Sequence, residues 1–370
     1  MVKVIHCADI HLDSPFTLSD PRDAELRRME LRATFTSLVM YARNNGTKVF
    51  LIAGDLFDDI HVSRETAAML IREFSSFPDC RFFITPGNHD WYHSKSPYKL
   101  LKWPDNVHIF RAPELTRVEM PDLNVDVYGY AFTAATMTTN PFAGKKPYNP
   151  SRINILVGHG DTSAADSPYC PVTRADIERG GFDYYALGHI HNGTDIIKVG
   201  QSALCFPGCL EGRGFDELGY KGAMAGEIDK GDCRLKGVRF SKKRYEIAEV
   251  DITDLDSEFR IVEKIRRDIA QFKEDTALRV VLTGTMRSGF ILNPNFIESQ
   301  LTGPHFVQVV DSTLPYIDYK TLKEDKGLRG IFYRKLEPLL ESADERERET
   351  ARLAIRYGLS AFSGINIIDF

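Results

Sequence analysis

The sequence predicts an α/β protein: a layered core of alternating strands and helices, then a smaller α/β unit and a helical tail. Two observations carry this. Over the first two-thirds of the 370 residues, short apolar runs bounded by Gly, Pro or Asp alternate with helical stretches. After about residue 250 the pattern changes to charged amphipathic segments. At roughly 150 residues per domain, this length suits two or three domains.

Strands are expected at Val2–Cys7, Lys48–Ala53, Arg81–Thr85, Val125–Tyr130, Ile153–Val157 and Tyr184–Leu187. Between the first two, Asp23–Asn44 has helical periodicity and Gly46 as its stop. A second helix is expected from Ser63, whose hydroxyl suits an N-cap, to about Ser75. Further on, Ser257–Lys273 reads as a charged amphipathic helix, followed by strands at Leu278–Thr283 and Phe306–Val310. Beyond Asp325 the chain turns helical, with Gly327–Leu340 and Arg346–Tyr357 as two candidate helices. Leu353, Ile355, Leu359 and Phe362 would either bury against the accessory unit or dock on a partner. The expected domains are thus 1–250, 251–325 and 326–370.

Composition narrows the class. Hydrophobic residues make up 43% and charged residues 27%, which is ordinary for a globular protein. No apolar run approaches the ~20 residues of a membrane span. The opening MVKVIHCADIH lacks the basic and apolar regions of a secretory leader, so none is expected. The six cysteines, Cys7, Cys80, Cys170, Cys205, Cys209 and Cys233, contain no CxxC pair. They form neither a zinc ribbon nor a disulfide framework, and reduced thiols in the cytoplasm are expected. Net charge is −5, whereas a chain that wraps nucleic acid unaided is usually basic.

The chemistry lies at the ends of the strands. The first leads into Asp9-Ile10-His11, the second into Gly54-Asp55-Leu56-Phe57-Asp58, and the third into Pro86-Gly87-Asn88-His89-Asp90. Two later ones give Gly158-His159-Gly160-Asp161 and Gly188-His189-Ile190-His191. A lone histidine beside a strand is usually structural, but five segments of one form are a pattern. In α/β sheets, ligands bind beyond the carboxyl ends of strands. Asp9 and His11 are two apart, as are His189 and His191, so extended backbone would turn each pair to one side. Mixed oxygen and imidazole donors without thiolate suit Mn²⁺, Fe²⁺, Zn²⁺ or Mg²⁺. Asp9, His11, Asp55, Asn88, His159, His189 and His191 are too many ligands for one ion and enough for two sharing a bridge. Two ions ~3.5–4 Å apart clamp the attacking and leaving oxygens of a phosphoryl displacement and acidify bound water towards ~7.

The ordered set DxH, GDxxD, GNHD, GH and GHxH resembles the calcineurin-like metallophosphoesterase superfamily over roughly residues 1–230. HCADIHLDSPF, LIAGDLFD, TPGNHD and the run FPGCLEGRGFDE with GYKGA resemble its SbcD-type DNA-repair exonucleases, in the shorter YhaO-like branch. The resemblance implies a layered β-sandwich flanked by helices, with an accessory domain and tail. It implies two divalent ions, manganese foremost: one on Asp9, His11, Asp55 and His191, the other on Asp55, Asn88, His159 and His189. His89 would sit by the scissile phosphate as a catalytic group, with Asp58 fixing it by a hydrogen bond, although a loop cap is the plainer role for Asp58. Asp161 either orients His159 or serves its own turn. Implied partners are DNA, an SbcC-like coiled-coil ATPase docked on the tail, and a second copy of the chain.

Rival readings differ at named positions. Phosphoprotein phosphatases of this type read GDxVDRG and GNHE, whereas here Asp59 follows Asp58 and Asp90 follows His89. A small-molecule phosphodiesterase is compatible with GNHD but leaves the last third of the chain without a task. A non-catalytic scaffold would have lost ligands, and every one is present. Candidate phosphate contacts are sparse: Lys145, Lys146, Arg213 and the basic stretch Arg234–Arg244, whose alternation equally suits a strand at a sheet edge. Asp13 and His61 receive no role.

Overall fold

The structure, a computed structural model, describes residues 1–16, 21–286, 292–315 and 317–362. The end of the expected helical tail, residues 363–370, lies outside the described residues. The chain divides into two compact units, one of residues 1–246 with 274–277 and one of residues 247–273 with those from 278 onward.

The first unit is two six-stranded sheets face to face. One has the order β12-β11-β1-β2-β3-β4, from β1 (Val2–Cys7), β2 (Val49–Ala53), β3 (Arg81–Thr85), β4 (Val107–Ile109), β11 (Gly222–Asp229) and β12 (Asp232–Arg239). The other has the order β5-β6-β7-β8-β10-β9, from β5 (Thr116–Met120), β6 (Val125–Gly129), β7 (Ile153–His159), β8 (Tyr184–Gly188), β9 (Ile197–Val199) and β10 (Ser202–Cys205). β1 to β4 run parallel, as do β6, β7, β8 and β10. Alternate residues of β1 face opposite sides, so Val2, Val4 and Ala8 join Val127, Ile155 and Ala186 between the sheets. Ile5 and Cys7 instead face the helices α1 (Pro21–Asn44) and α2 (Arg64–Ser75), which bury Phe35, Leu38 and Leu70 on them. After the short α3 (Pro97–Leu100), α4 (Arg174–Gly180) packs Ile177 on the outer face of the second sheet. The result is helix, sheet, sheet, helix, in accord with the fold class read from the sequence.

Local chemistry sets the ends. Ser63 caps α2, its hydroxyl accepting from the Thr66 amide at 3.1 Å. Asp13, given no role above, braces that cap by accepting from the Ser63 amide at 2.8 Å and the Thr66 hydroxyl at 2.7 Å. β7 runs on to His159 and β8 to Gly188, past their expected ends, so His159 is itself a ladder residue paired with Gly188. β12 is an edge strand, and it carries the first part of the basic stretch.

In the second unit, β13 (Arg244–Asp251), β14 (Thr276–Thr283) and β16 (Phe306–Asp311) form a sheet, beside a short pair β15 (Thr285–Met286) and β17 (Leu314–Pro315). Helices α5 (Glu258–Asp268) and α6 (Pro294–Gln300) supply Ile261, Ile265 and Ile297 to a core with Leu278 and Val280. The tail helices α7 (Tyr319–Glu324), α8 (Leu328–Leu336) and α9 (Glu345–Phe362) make their own cluster around Leu322, Tyr333, Ile355 and Leu359. Of the four apolar positions read on the tail, Leu353 and Phe362 are 36% and 47% exposed. Ile355 and Leu359 are four apart and take the inward face of α9, which leaves those two outside it. Among the described residues no helix is long and apolar enough to cross a membrane.

At Gly188 the two sheets come close together. A Cβ there would stand 1.9 Å from the Ala53 carbonyl oxygen and 2.7 Å from the Ala8 Cβ. We expect Gly188→Ala to part β2 from β8 and destabilise the first unit by about 1–3 kcal/mol. A urea midpoint equal to that of the parent chain would contradict it.

Candidate metal centre

The carboxyl ends of β1, β2 and β3 in one sheet face those of β7 and β8 in the other, and the five motif segments meet there. The turns after the strands are zipped together: the amides of Ile10 and His11 both donate to the Asp55 carbonyl, at 2.9 and 3.0 Å. Asp9, His11 and Asp55 have φ of 49°, 49° and 48°, and His189 has 107°. Non-glycine residues seldom adopt this region, and such strain clusters at functional sites. The same-side display of Asp9 and His11 therefore comes from left-handed turns, not from extended backbone. His189 and His191 are not displayed together: His189 packs 5.2 Å from the His159 ring and His191 5.1 Å from the His11 ring.

Asp9, His11 and His159 are fully buried and Asp55 is 1% exposed, whereas Asn88 is half-buried and His89 exposed. The donors converge. His11 Nε2 lies 3.3 Å from His191 Nε2 and 3.8 Å from Asp55 Oδ2. His159 Nε2 lies 3.4 Å from the same Asp55 oxygen and 2.9 Å from Asn88 Oδ1. Asp9 Oδ1 lies 3.8 Å from His191 Nε2 and 4.0 Å from His159 Nδ1. Among the described residues three groups have ligand atoms close enough to hold a cation: Asp9, His11 and His191; Asp9, Asp55 and His159; and His11, Asp58 and His89. Both buried acids thus stand between the two sets of imidazoles. His189 adjoins the second group without joining it, and its amide donates to both Asp9 oxygens at 3.1 Å.

Tautomer control supports metal binding. His159 Nδ1 faces the Ala53 carbonyl at 2.9 Å, His191 Nδ1 faces Glu217 Oε1 at 2.7 Å, and His11 Nδ1 lies 3.1 Å from Asp58 Oδ1. The Ala53 carbonyl and the Glu217 carboxylate engage Nδ1 and so direct Nε2 of His159 and His191 at the cluster, the usual outer support of a ligating histidine. Electrostatics agree. Burial works to lower His159, yet Asp55 and Asp9 push it up to about 9. Burial works to raise Asp55, yet His159 and His11 hold it well below the usual carboxylate range. A surplus of negative charge sits here, and the donor set fits divalent cations.

Several assignments shift. The Asp58 carboxylate meets His11 and, at 3.0 Å, Arg213; His89 instead has its Nδ1 3.2 Å from the Asp58 backbone carbonyl. Asp161 accepts from the Ser163 amide at 2.7 Å and serves its own turn, while Ala53 orients His159. Arg213, considered for phosphate, is held between Asp58 and Glu217, the latter at 2.9 Å. Glu217 itself was not singled out from sequence. Burial raises it, but His191 and Arg213 hold it well below the usual carboxylate range. Its place in the GRGFDE run, four residues after Arg213, was the available signal.

Two outcomes follow for metal binding. Glu217→Gln removes the charge that aligns His191, and we expect about 10–100-fold weaker Mn²⁺ affinity by calorimetric titration; parent-like affinity would remove Glu217 from this role. Below about pH 9 an incoming ion must displace the His159 proton. Affinity should therefore rise with pH and level off above about 9, with proton release visible in buffers of different ionisation enthalpy. An affinity flat from about pH 7 upward would count against it.

Comparison with known proteins agrees with this geometry. The chain is 30% identical over 295 residues to the uncharacterized metallophosphoesterase YhaO of Bacillus subtilis, an alignment covering 76% of this chain and 71% of that one. It is 22% identical over 356 residues to the DNA double-strand break repair protein Mre11 of Saccharolobus solfataricus, covering 90% and 88%. With the Mre11 protein of Methanopyrus kandleri the identity is 25% over 256 residues, covering 62% of this chain and 55% of that one. Residues 2–193, which carry every motif up to the last histidine pair, match the model of one family, and the chain belongs to it: the calcineurin-like phosphoesterases.

Proposed function

We propose that the chain is a two-metal phosphodiesterase that hydrolyses DNA, an exonuclease subunit working in DNA repair with an SbcC-like coiled-coil ATPase. The observation that carries this is a buried acid pair, Asp9 and Asp55, set between two groups of imidazoles, with the exposed His89 beside them. The relatives named as double-strand break repair proteins point the phosphoesterase towards DNA. Asp9, His11, Asp55 and His191 would hold one manganese ion, and Asp55, Asn88, His159 and His189 the other. When bound, such a pair supplies Lewis acidity at phosphorus and an acidified water.

The chain's own residues do the rest. Glu217 aligns His191 through Nδ1, and the Asp58 carboxylate faces His11 Nδ1 at 3.1 Å. The His89 amide donates to Asp55 Oδ1 at 3.0 Å, which ties the loop carrying His89 to the shared acid. With the Asp58 carbonyl accepting from Nδ1, the His89 Nε2 is free to carry a proton to the leaving oxygen. Residues 1–250 are assigned to hydrolysis, 251–325 to an accessory role and 326–370 to partner docking. The exposed Leu328, Ile331, Leu353 and Tyr357 support the last assignment. The six free thiols support a reducing, cytoplasmic setting.

The test is Mn²⁺-dependent hydrolysis of an end-labelled DNA duplex beside bis-p-nitrophenyl phosphate and a phosphopeptide. We expect the DNA to shorten, Asp55→Asn to abolish turnover, and His89→Gln to lower it about 10²–10⁴-fold with the fold intact. Full turnover by His89→Gln would sink its assigned role. Turnover of the small diester alone, unchanged when the ATPase partner is added, would favour a small-molecule phosphodiesterase.

A further inference from the structure

Outside the ligand cluster, Lys221 is the charge least accounted for. It is 7% exposed, and the partners of its ammonium are neutral: Asn192 Oδ1 at 2.9 Å and the His191 carbonyl at 3.5 Å. Buried charges are normally paired, because an ammonium taken out of water without a counter-charge is costly. Yet the position is not sealed. Lys221 lines an open groove with Asn192, Gly193, Tyr220 and Arg239, and Asp195 is the one acid among the lining residues. Asn192 directly follows the ligand candidate His191, and Lys221 reaches the His191 carbonyl, so the groove adjoins the backbone that carries a ligand candidate.

Arg239, at the end of β12, is set in place for the same task. Its guanidinium carbon lies 3.1 Å from the Tyr220 ring centroid, and Arg244 lies 4.7 Å from that ring. The Tyr220 hydroxyl donates to Asp275, whose carboxylate is 3.8 Å from the Arg239 guanidinium. Even so, the Arg239 side chain remains 49% exposed. A buried ammonium and a braced, exposed guanidinium along one groove match a ligand with repeating negative charge.

We propose that this groove is a subsite for a phosphodiester strand, in which Lys221 and Arg239 take phosphates neighbouring the one under attack; this rests on the nuclease reading above. The test measures binding of a fluorescein-labelled DNA duplex with a single-stranded overhang to the full chain, across a series of salt concentrations. Hydrolysis of the same DNA and of bis-p-nitrophenyl phosphate is followed in parallel. Arg239→Ala and Lys221→Gln should each raise the Kd for DNA about tenfold. Each should also reduce the slope of log Kd against log salt by about one, the signature of one lost phosphate contact. Lys221→Arg should restore most of the binding. Parent-like Kd and salt slope in both variants would overturn the subsite even when the DNA is cut. Equal losses on DNA and small diester, with no rescue by Lys221→Arg, would mark Lys221 as a brace for His191 and also overturn it. A parent chain that turns over the small diester but neither binds nor cuts DNA would remove the nuclease reading and the groove with it.

Discussion

Two carboxylates that must be buried side by side shape this end of the molecule. Asp9 and Asp55 are 0% and 1% exposed, and both direct oxygens into one small volume. Like charges held that way repel, and each loses its hydration. The fold answers with donors fixed in the backbone. Asp9, after β1, accepts the His189 amide from the opposite sheet, and Asp55 accepts the His89 amide from the neighbouring loop. His159 returns the link, its ring facing the Ala53 carbonyl across the sheets. These contacts fix the two sheets end to end, so the ligand cluster is also what registers the sandwich at this edge. Gly188 is required for the same reason, since a side chain there would meet the Ala53 carbonyl that holds His159.

Much of this was legible in the sequence, because strand periodicity and a ligand just past each strand are local signals. The strands that carry ligands and the Ser63 cap are of that kind. What stayed hidden depends on tertiary partners. β11, reading GAMAGEID, is too rich in Gly and Ala to announce a strand, and it forms because β1 needs a neighbour on its open edge. The left-handed φ of Asp9, His11 and Asp55 comes from two turns zipped against each other, which no dipeptide preference encodes. Spacing located Asp58 but could not show that its carboxylate faces His11 while its carbonyl faces His89. On α9, Leu353 and Ile355 look equivalent as letters, and only the position of α8 decides that Ile355 is covered.

The hidden residues also settle how charge is shared out. His11, Asp58, Arg213, Glu217 and His191 form a closed chain of contacts, 3.1, 3.0, 2.9 and 2.7 Å in turn, and the two imidazoles meet at 3.3 Å. Arg213 lies between two acids, and each acid fixes one ligand histidine. Burial works against that guanidinium's charge, but Glu217 and Asp58 raise it above its ordinary value, so it stays a cation. Its charge is therefore committed to Asp58 and Glu217 and is not shared with Asp9 and Asp55. Near those two buried acids His159 and His191 are both drawn towards their charged forms, but a proton sits on one nitrogen and cannot serve both groups of donors. A cation held in each group would balance Asp9 and Asp55 while leaving Arg213 where it is. The bracing ring thus does more than orient two rings: by taking up the local guanidinium, it keeps the central acids available for metal.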